Sequence, residues 1–204
     1  MVFKAAMALL DEDQEEAMHA FLDKQSDFYV EYIDRVSNVC RIESIMLHDD
    51  WGTQNGPFFS LDIARQFFVK PMKKITDFCH SKGIIFEHHC CGNATKLIDA
   101  VIEEGADYWF PQAAINEIDW LIEHCRGTAF AIVASSPVLP KGSTPEKVYE
   151  IGRKWVEKYK DDKVMMQWDV TITDPNHDPS LYPIFADAVY ECSRIAYQNV
   201  EGQD

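Results

Sequence analysis

The chain has 204 residues, a formal net charge of −15 and a hydrophobic content of 47%. That length can bury the core of one domain, here taken as residues 1–204, and no apolar run approaches membrane-spanning length. So negative a charge excludes nucleic acid or an anionic membrane as the main partner, because phosphates are recognised by a basic face.

Residues 2–10 are too short an apolar stretch for a signal peptide and run straight into acidic residues. Cysteines 40, 79, 90, 91, 125 and 192 fall mostly inside helix or strand patterns, so free thiols in a reducing cytoplasm are expected. A helix start is expected at 11–14, with Glu15 and Glu16 in the first turn. Ala17, Phe21, Phe28, Tyr32 and Val36 then approximate its apolar stripe, which Met18 and Leu22 widen. Residues 42–47 read as a strand ending in His48-Asp49-Asp50-Trp51-Gly52. Ser60 suits the cap of a helix over 61–82, which Pro71 should kink or divide.

Gly83 stops that helix, and an apolar run gives out at Phe86-Glu87-His88-His89-Cys90-Cys91-Gly92-Asn93. Strand side chains alternate, so Ile84, Phe86, His88 and Cys90 share one face and Ile85, Glu87, His89 and Cys91 the other. The second face is the more polar and is assigned to a cavity, which makes His89 and Cys91 the pair able to converge on one ion. Imidazole with thiolate suits zinc better than magnesium or calcium. Against this stands the bland reading of buried cysteines as small hydrophobes and of histidine as a bonded core residue.

A helix follows over 94–104, with Leu97, Ile98, Val101 and Ile102 inward and Gly105 beyond its end. Then come a strand over 107–110, a helix over 117–125 with Asn116 as its cap, and a strand over 128–134. Thr144-Pro145 opens a helix to 159, a last strand spans 163–168, and a helix runs from 180 to 199. Five strand–helix repeats with short connections predict an α/β fold with a parallel sheet. Polar residues gather where strands end and helices begin, which in a (β/α)8 barrel is the active-site mouth. A full barrel takes ~250 residues, so the chain is expected to hold about five C-terminal βα units behind N-terminal helices.

Asp49-Asp50-Trp51-Gly52-Thr53-Gln54, Ser60, Pro71, His89-Cys90-Cys91-Gly92-Asn93 and Gly105-Ala106-Asp107 together resemble the uroporphyrinogen decarboxylase domain, from about residue 42 onward. The resemblance implies an α/β barrel and one of two chemistries. Uroporphyrinogen decarboxylases use neither metal nor cofactor, and their arginine-rich N-terminal motif has no counterpart here. Cobamide-dependent methyltransferases use zinc to activate a thiol, and their His-x-Cys pattern matches His89 and Cys91. Their second, downstream cysteine has no match: Gln167-Trp168-Asp169 stands there, and Cys192 falls within the last helix pattern. The methyltransferase branch implies a corrinoid carried by a partner protein.

Asp169 and Glu87 are the candidates for the remaining zinc ligand, with His177 a weaker one. Asp50, Asp49 and Gln54 are candidate catalytic residues, with Asp50 favoured for the mouth, and helix capping or loop pinning is the competing role for the aspartates. Trp51, Gln112 and Ser135 are candidate substrate contacts, although amides such as Gln54 and Gln112 more often stabilise loops. A non-catalytic partial barrel that binds corrinoid or a partner is the remaining alternative. Half a barrel leaves open sheet edges and uncovered apolar surface, so a homo-oligomer or a complementing N-terminal barrel segment is expected.

Overall fold

The computed structural model describes residues 12–167, 172 and 174–197. Helix α1 (Glu15–Ser37) follows a 3-10 turn at Glu12–Gln14, with Glu15 and Glu16 in its first turn and Arg35 in its last. Its buried residues are Met18, Leu22, Ser26 and Ile33. Phe21, Phe28 and Tyr32 are instead 45%, 62% and 58% exposed, so the buried face is rotated by about one residue from the expected stripe. The amphipathic stripe is wide, and the aliphatic margin faces inward while the aromatic margin does not.

Strand β1 (Ser44–His48) leads through a loop to Ser60, whose hydroxyl accepts the Ile63 N–H at 3.3 Å. The helical stretch beyond comes in three pieces: Leu61–Ile63, a π-helical turn Ala64–Val69, and α2 (Lys70–Ser81). The π turn sits immediately before Pro71, which brings no N–H to an α-helical ladder, and so the division expected from that proline is present. Strand β2 (Ile85–Cys90) is followed by a 3-10 turn at Thr95–Leu97 and by α3 (Ile98–Glu103). Strand β3 (Tyr108–Pro111), helix α4 (Ile118–His124) and strand β4 (Ala131–Ser135) come next. Helix α5 (Pro145–Tyr159), strand β5 (Val164–Gln167) and helix α6 (Tyr182–Tyr197) complete the described elements.

The strand order is β1-β2-β3-β4-β5, the sequential order of a parallel α/β sheet. Register sets Met46 beside Glu87 and His48 beside His89. It continues from Glu87 to Tyr108 and from His89 to Phe110, then from Tyr108 to Ala131. The chain forms two compact units, Met1–Ile132 and Val133–Asp204. The first is built around Phe86, Trp109, Leu97, Ile98, Leu121 and Ile132, all at most 2% exposed. The second is built around Leu139, Val148, Val156, Phe185 and Val189. There Gly152 lets α5 approach α6, since a Cβ on it would lie 2.6 Å from Ala188 Cβ. Thr144 caps α5 as expected, accepting the Lys147 N–H at 3.3 Å.

Candidate metal centre

The alternation along β2 separates two environments. On one face Phe86, His88 and Cys90 are at most 1% exposed. His88 Nδ1 lies 2.5 Å from Glu104 Oε1, and the imidazole meets the Trp51 indole edge-on at 4.7 Å between centroids. Burial opposes charge on His88, yet the Glu104 carboxyl beside it raises its pKa on balance. Burial pushes Glu104 up as well, against the pull of His88. This is a structural pair, with both side chains fully enclosed.

On the other face, register lines residues up in two rows across three strands. His48, His89 and Phe110 form one, with ring centroids 4.4 and 4.8 Å apart. Met46, Glu87 and Tyr108 form the other. Above the first row the chain leaves β1 and β2 together. The step that sets His48 beside His89 brings Asp50 level with Cys91, and the Cys91 N–H donates to Asp50 Oδ1 at 2.8 Å. His89 Nε2 lies 3.2 Å from Cys91 Sγ. Donor atoms of Asp50, His89 and Cys91 all fall within 4.8 Å of one another.

Nitrogen, sulfur and carboxylate oxygen are ligand types that zinc accepts, and His89 Nε2 and Cys91 Sγ, 3.2 Å apart, come near the spacing it needs. A tetrahedral ion with bonds of ~2.0–2.3 Å holds its ligand atoms roughly 3.3–3.8 Å apart, and three protein ligands leave one position for substrate. Burial, followed by the charge of His48, lowers the His89 pKa, so its imidazole is neutral and able to ligate. Burial, then Asp50, raises the Cys91 thiol.

The other candidate residues are placed differently. Glu87 is 6% exposed and takes the Tyr108 hydroxyl, and burial raises its pKa; it is not among the three converging groups. Asp169 lies outside the described residues. His177 belongs to the second unit, where its Nδ1 accepts the Leu139 N–H at 3.0 Å. Asp49 points away from Asp50: its Oδ2 accepts the Trp51 indole N–H at 3.0 Å, and burial raises its pKa. Trp51 itself is 0% exposed among Phe59, Phe68 and His88, which makes it a core residue and not an open substrate contact. Asp49 and His48 also border a cavity of about 230 Å³ between α1 and α2, lined by Phe21, Tyr29 and Met72 among others.

Gln112 serves the loop, its Oε1 accepting the Gly92 N–H at 3.1 Å. Gln54 is an exposed loop residue. Ser135 lies in the second unit, where its carbonyl accepts the Trp155 indole N–H at 3.4 Å.

Two features of the site were not read from sequence. His48 packs against His89 with its ring tilted, a contact that register creates. Asn116 does not cap α4, whose first flanking residue is Glu117; its side chain reaches back to residues 92–95. The loops after β1 and β2 are zipped by a bridge between Thr53 and Asn93, with Gly52 against Gly92.

A search of curated proteins finds no match. Among solved structures, a methyltransferase from Methanosarcina mazei is similar, with a TM-score of 0.53 and 16% identity over 84% of this chain and 47% of that one. Such a likeness shows the fold, an α/β arrangement consistent with part of a barrel, and the chain spans about half the length of that structure. The uroporphyrinogen decarboxylase (URO-D) family model matches residues 2–123, which takes in α1 as well as the motifs from Asp49 to Asn93. Matched over more than half its length, the chain belongs to the uroporphyrinogen decarboxylase family.

Proposed function

We propose that the chain is a methyltransferase of this family that moves a methyl group between a corrinoid and a thiol or methylated small molecule. His89, Cys91 and Asp50 hold the zinc in this reading. The observation that carries it is the meeting of an imidazole nitrogen, a sulfur and a carboxylate oxygen within 4.8 Å at the ends of β1 and β2. Bound zinc supplies the Lewis acidity that keeps a substrate thiol as the nucleophilic thiolate. His89 contributes a neutral imidazole, held between His48 and Phe110. Asp50 accepts the Cys91 N–H and so fixes both its own carboxylate and the residue that bears the thiol. Asp50 takes the third-ligand place in this reading, for which the sequence offers Glu87, Asp169 and, more weakly, His177.

The corrinoid arrives on a partner protein in this reading, and the chain works as a homo-oligomer or beside the rest of a barrel. Six free thiols suit a reducing compartment such as the cytoplasm. Among the described residues no helix is long and apolar enough to cross a membrane.

Elemental analysis of the purified chain, before and after adding zinc, tests the proposal. One zinc per chain is expected, lost in His89→Ala and Cys91→Ser and weakened in Asp50→Ala. A metal-free chain that decarboxylates a porphyrinogen would establish the family's other chemistry instead. A chain with neither metal nor turnover would be a binding module.

A further inference from the structure

We propose that Asn116 is the positioning residue for the turn that carries Cys91, and its metal readout rests on the reading above. Asn116 lies between β3 and α4 and is 8% exposed. Its Oδ1 accepts the Ala94 N–H at 2.9 Å and the Thr95 hydroxyl at 3.0 Å. Its Nδ2 donates to the carbonyls of Gly92 and Gln112, both at 2.9 Å. A carboxamide offers two donors and an acceptor with two lone pairs, so these four bonds use its whole capacity.

The four bonds join others that hold the turn. Cys91 N–H goes to Asp50 and Gly92 N–H to Gln112 Oε1. Cys91 carbonyl accepts from the Cys90 thiol, and Asn93 N–H goes to the Thr53 carbonyl. The Gly92 carbonyl and the Ala94 N–H go to Asn116. Gly92 has φ +86° and no room for a Cβ, which would meet the Gly52 carbonyl carbon at 2.2 Å. The Gly52 side of the turn is therefore closed by sterics, and Asn116 ties it to the end of β3. A turn freed from Asn116 moves the thiol away from His89 and Asp50 while leaving all three ligands in the sequence. Groups that orient a ligand in this way typically govern 10–100-fold in metal affinity.

The test uses the full chain, with cobalt(II) as a spectroscopic probe of thiolate ligation and amide hydrogen exchange as a metal-free readout. Asn116→Asp keeps the size and the acceptor but sets an oxygen against two carbonyls. Thr95→Val removes one of the four bonds, together with the Glu117 N–H bond to the same hydroxyl. Leu121→Ala truncates a fully buried α4 side chain that has no polar group to bond the turn, and controls for lost stability. Asn116→Asp is expected to weaken cobalt binding by ~10–100-fold and to speed exchange selectively over residues 91–95, with Thr95→Val a smaller change of the same sign. Leu121→Ala should hold cobalt affinity within about twofold, as expected of independent sites. Unchanged affinity in Asn116→Asp, or an equal loss in Leu121→Ala, overturns the proposal. If the unaltered chain binds no cobalt, the metal reading fails and exchange alone decides. Selective loosening of 91–95 then upholds the positioning role, and unaltered or uniform exchange overturns it.

Discussion

Side-chain alternation along one strand separates His89 and Cys91 from His88 and Cys90, and that division is legible from the spacing alone. The third member of the cluster is not, because Asp49 and Asp50 lie beyond β1 and adjacent residues leave a strand end in opposite directions. Which of them meets Cys91 is fixed by the pairing of His48 with His89, a contact between segments forty-one residues apart in sequence. Asp50 then bonds Cys91 N–H while Asp49 turns to the Trp51 indole. The protonation states give the cluster a defined pH response. Burial lowers the His89 pKa and so favours the neutral imidazole that a metal needs. The Cys91 thiol is raised by burial and then by Asp50, so its proton must leave when a metal binds. Apparent zinc affinity should therefore rise with pH by about tenfold per unit from roughly 7 to 8.5, one proton being released per ion. Isothermal titration in buffers of different ionisation enthalpy counts that proton. A flat profile would show that Cys91 is not a ligand.

At the scale of elements, the sequence marks the strands and helices well wherever a local device sets the boundary. Ser60 and Thr144 are caps, and Pro71 divides its helix. Where two elements decide jointly, the reading slips: the buried face of α1 is Met18, Leu22 and Ile33, because the packing partner selects which margin of a broad apolar stripe turns inward. Asn116 is a similar case, since its position before α4 suggests a cap but its bonds run to the loop after β2. The loops after β1 and β2 meet through glycines, and this contact determines where the metal-capable tips sit. Gly92→Ala would place a methyl 2.2 Å from the Gly52 carbonyl carbon in a residue whose φ is +86°, so two independent penalties act at once. Loss of at least ~2 kcal/mol of stability is expected, since a left-handed non-glycine residue alone costs of order 1–3 kcal/mol. Urea unfolding measures it, and zinc binding should fall in the same variant. A Gly92→Ala chain as stable as the parent would show that the two loops are not locked.

For the whole molecule, the question is what covers the apolar surface that the two units leave open. In the first unit β1 ends the strand order, so one of its edges has no strand beside it among the described residues. An unpaired parallel edge with α1 nearby in the fold invites a partner. Helix α1 adds Phe28 and Tyr32, 62% and 58% exposed and stacked on each other at 6.3 Å, with Phe21 about two turns before Phe28. A monomeric protein seldom leaves aromatic side chains in one contiguous strip on a helix. Charge acts in the other direction: at −15 two copies repel, so association through this strip should strengthen as salt screens the surface. That sign separates apolar association from one held by ion pairs, which salt weakens. Light scattering at low and high ionic strength is expected to give a mass above that of one chain, rising with salt. Phe28→Ser with Tyr32→Ser should return the monomer, and its unfolding midpoint should then no longer depend on chain concentration, as that of an associating chain does. A monodisperse monomer at every salt concentration would mean that this strip needs no cover, and the proposed homo-oligomer would fall with it.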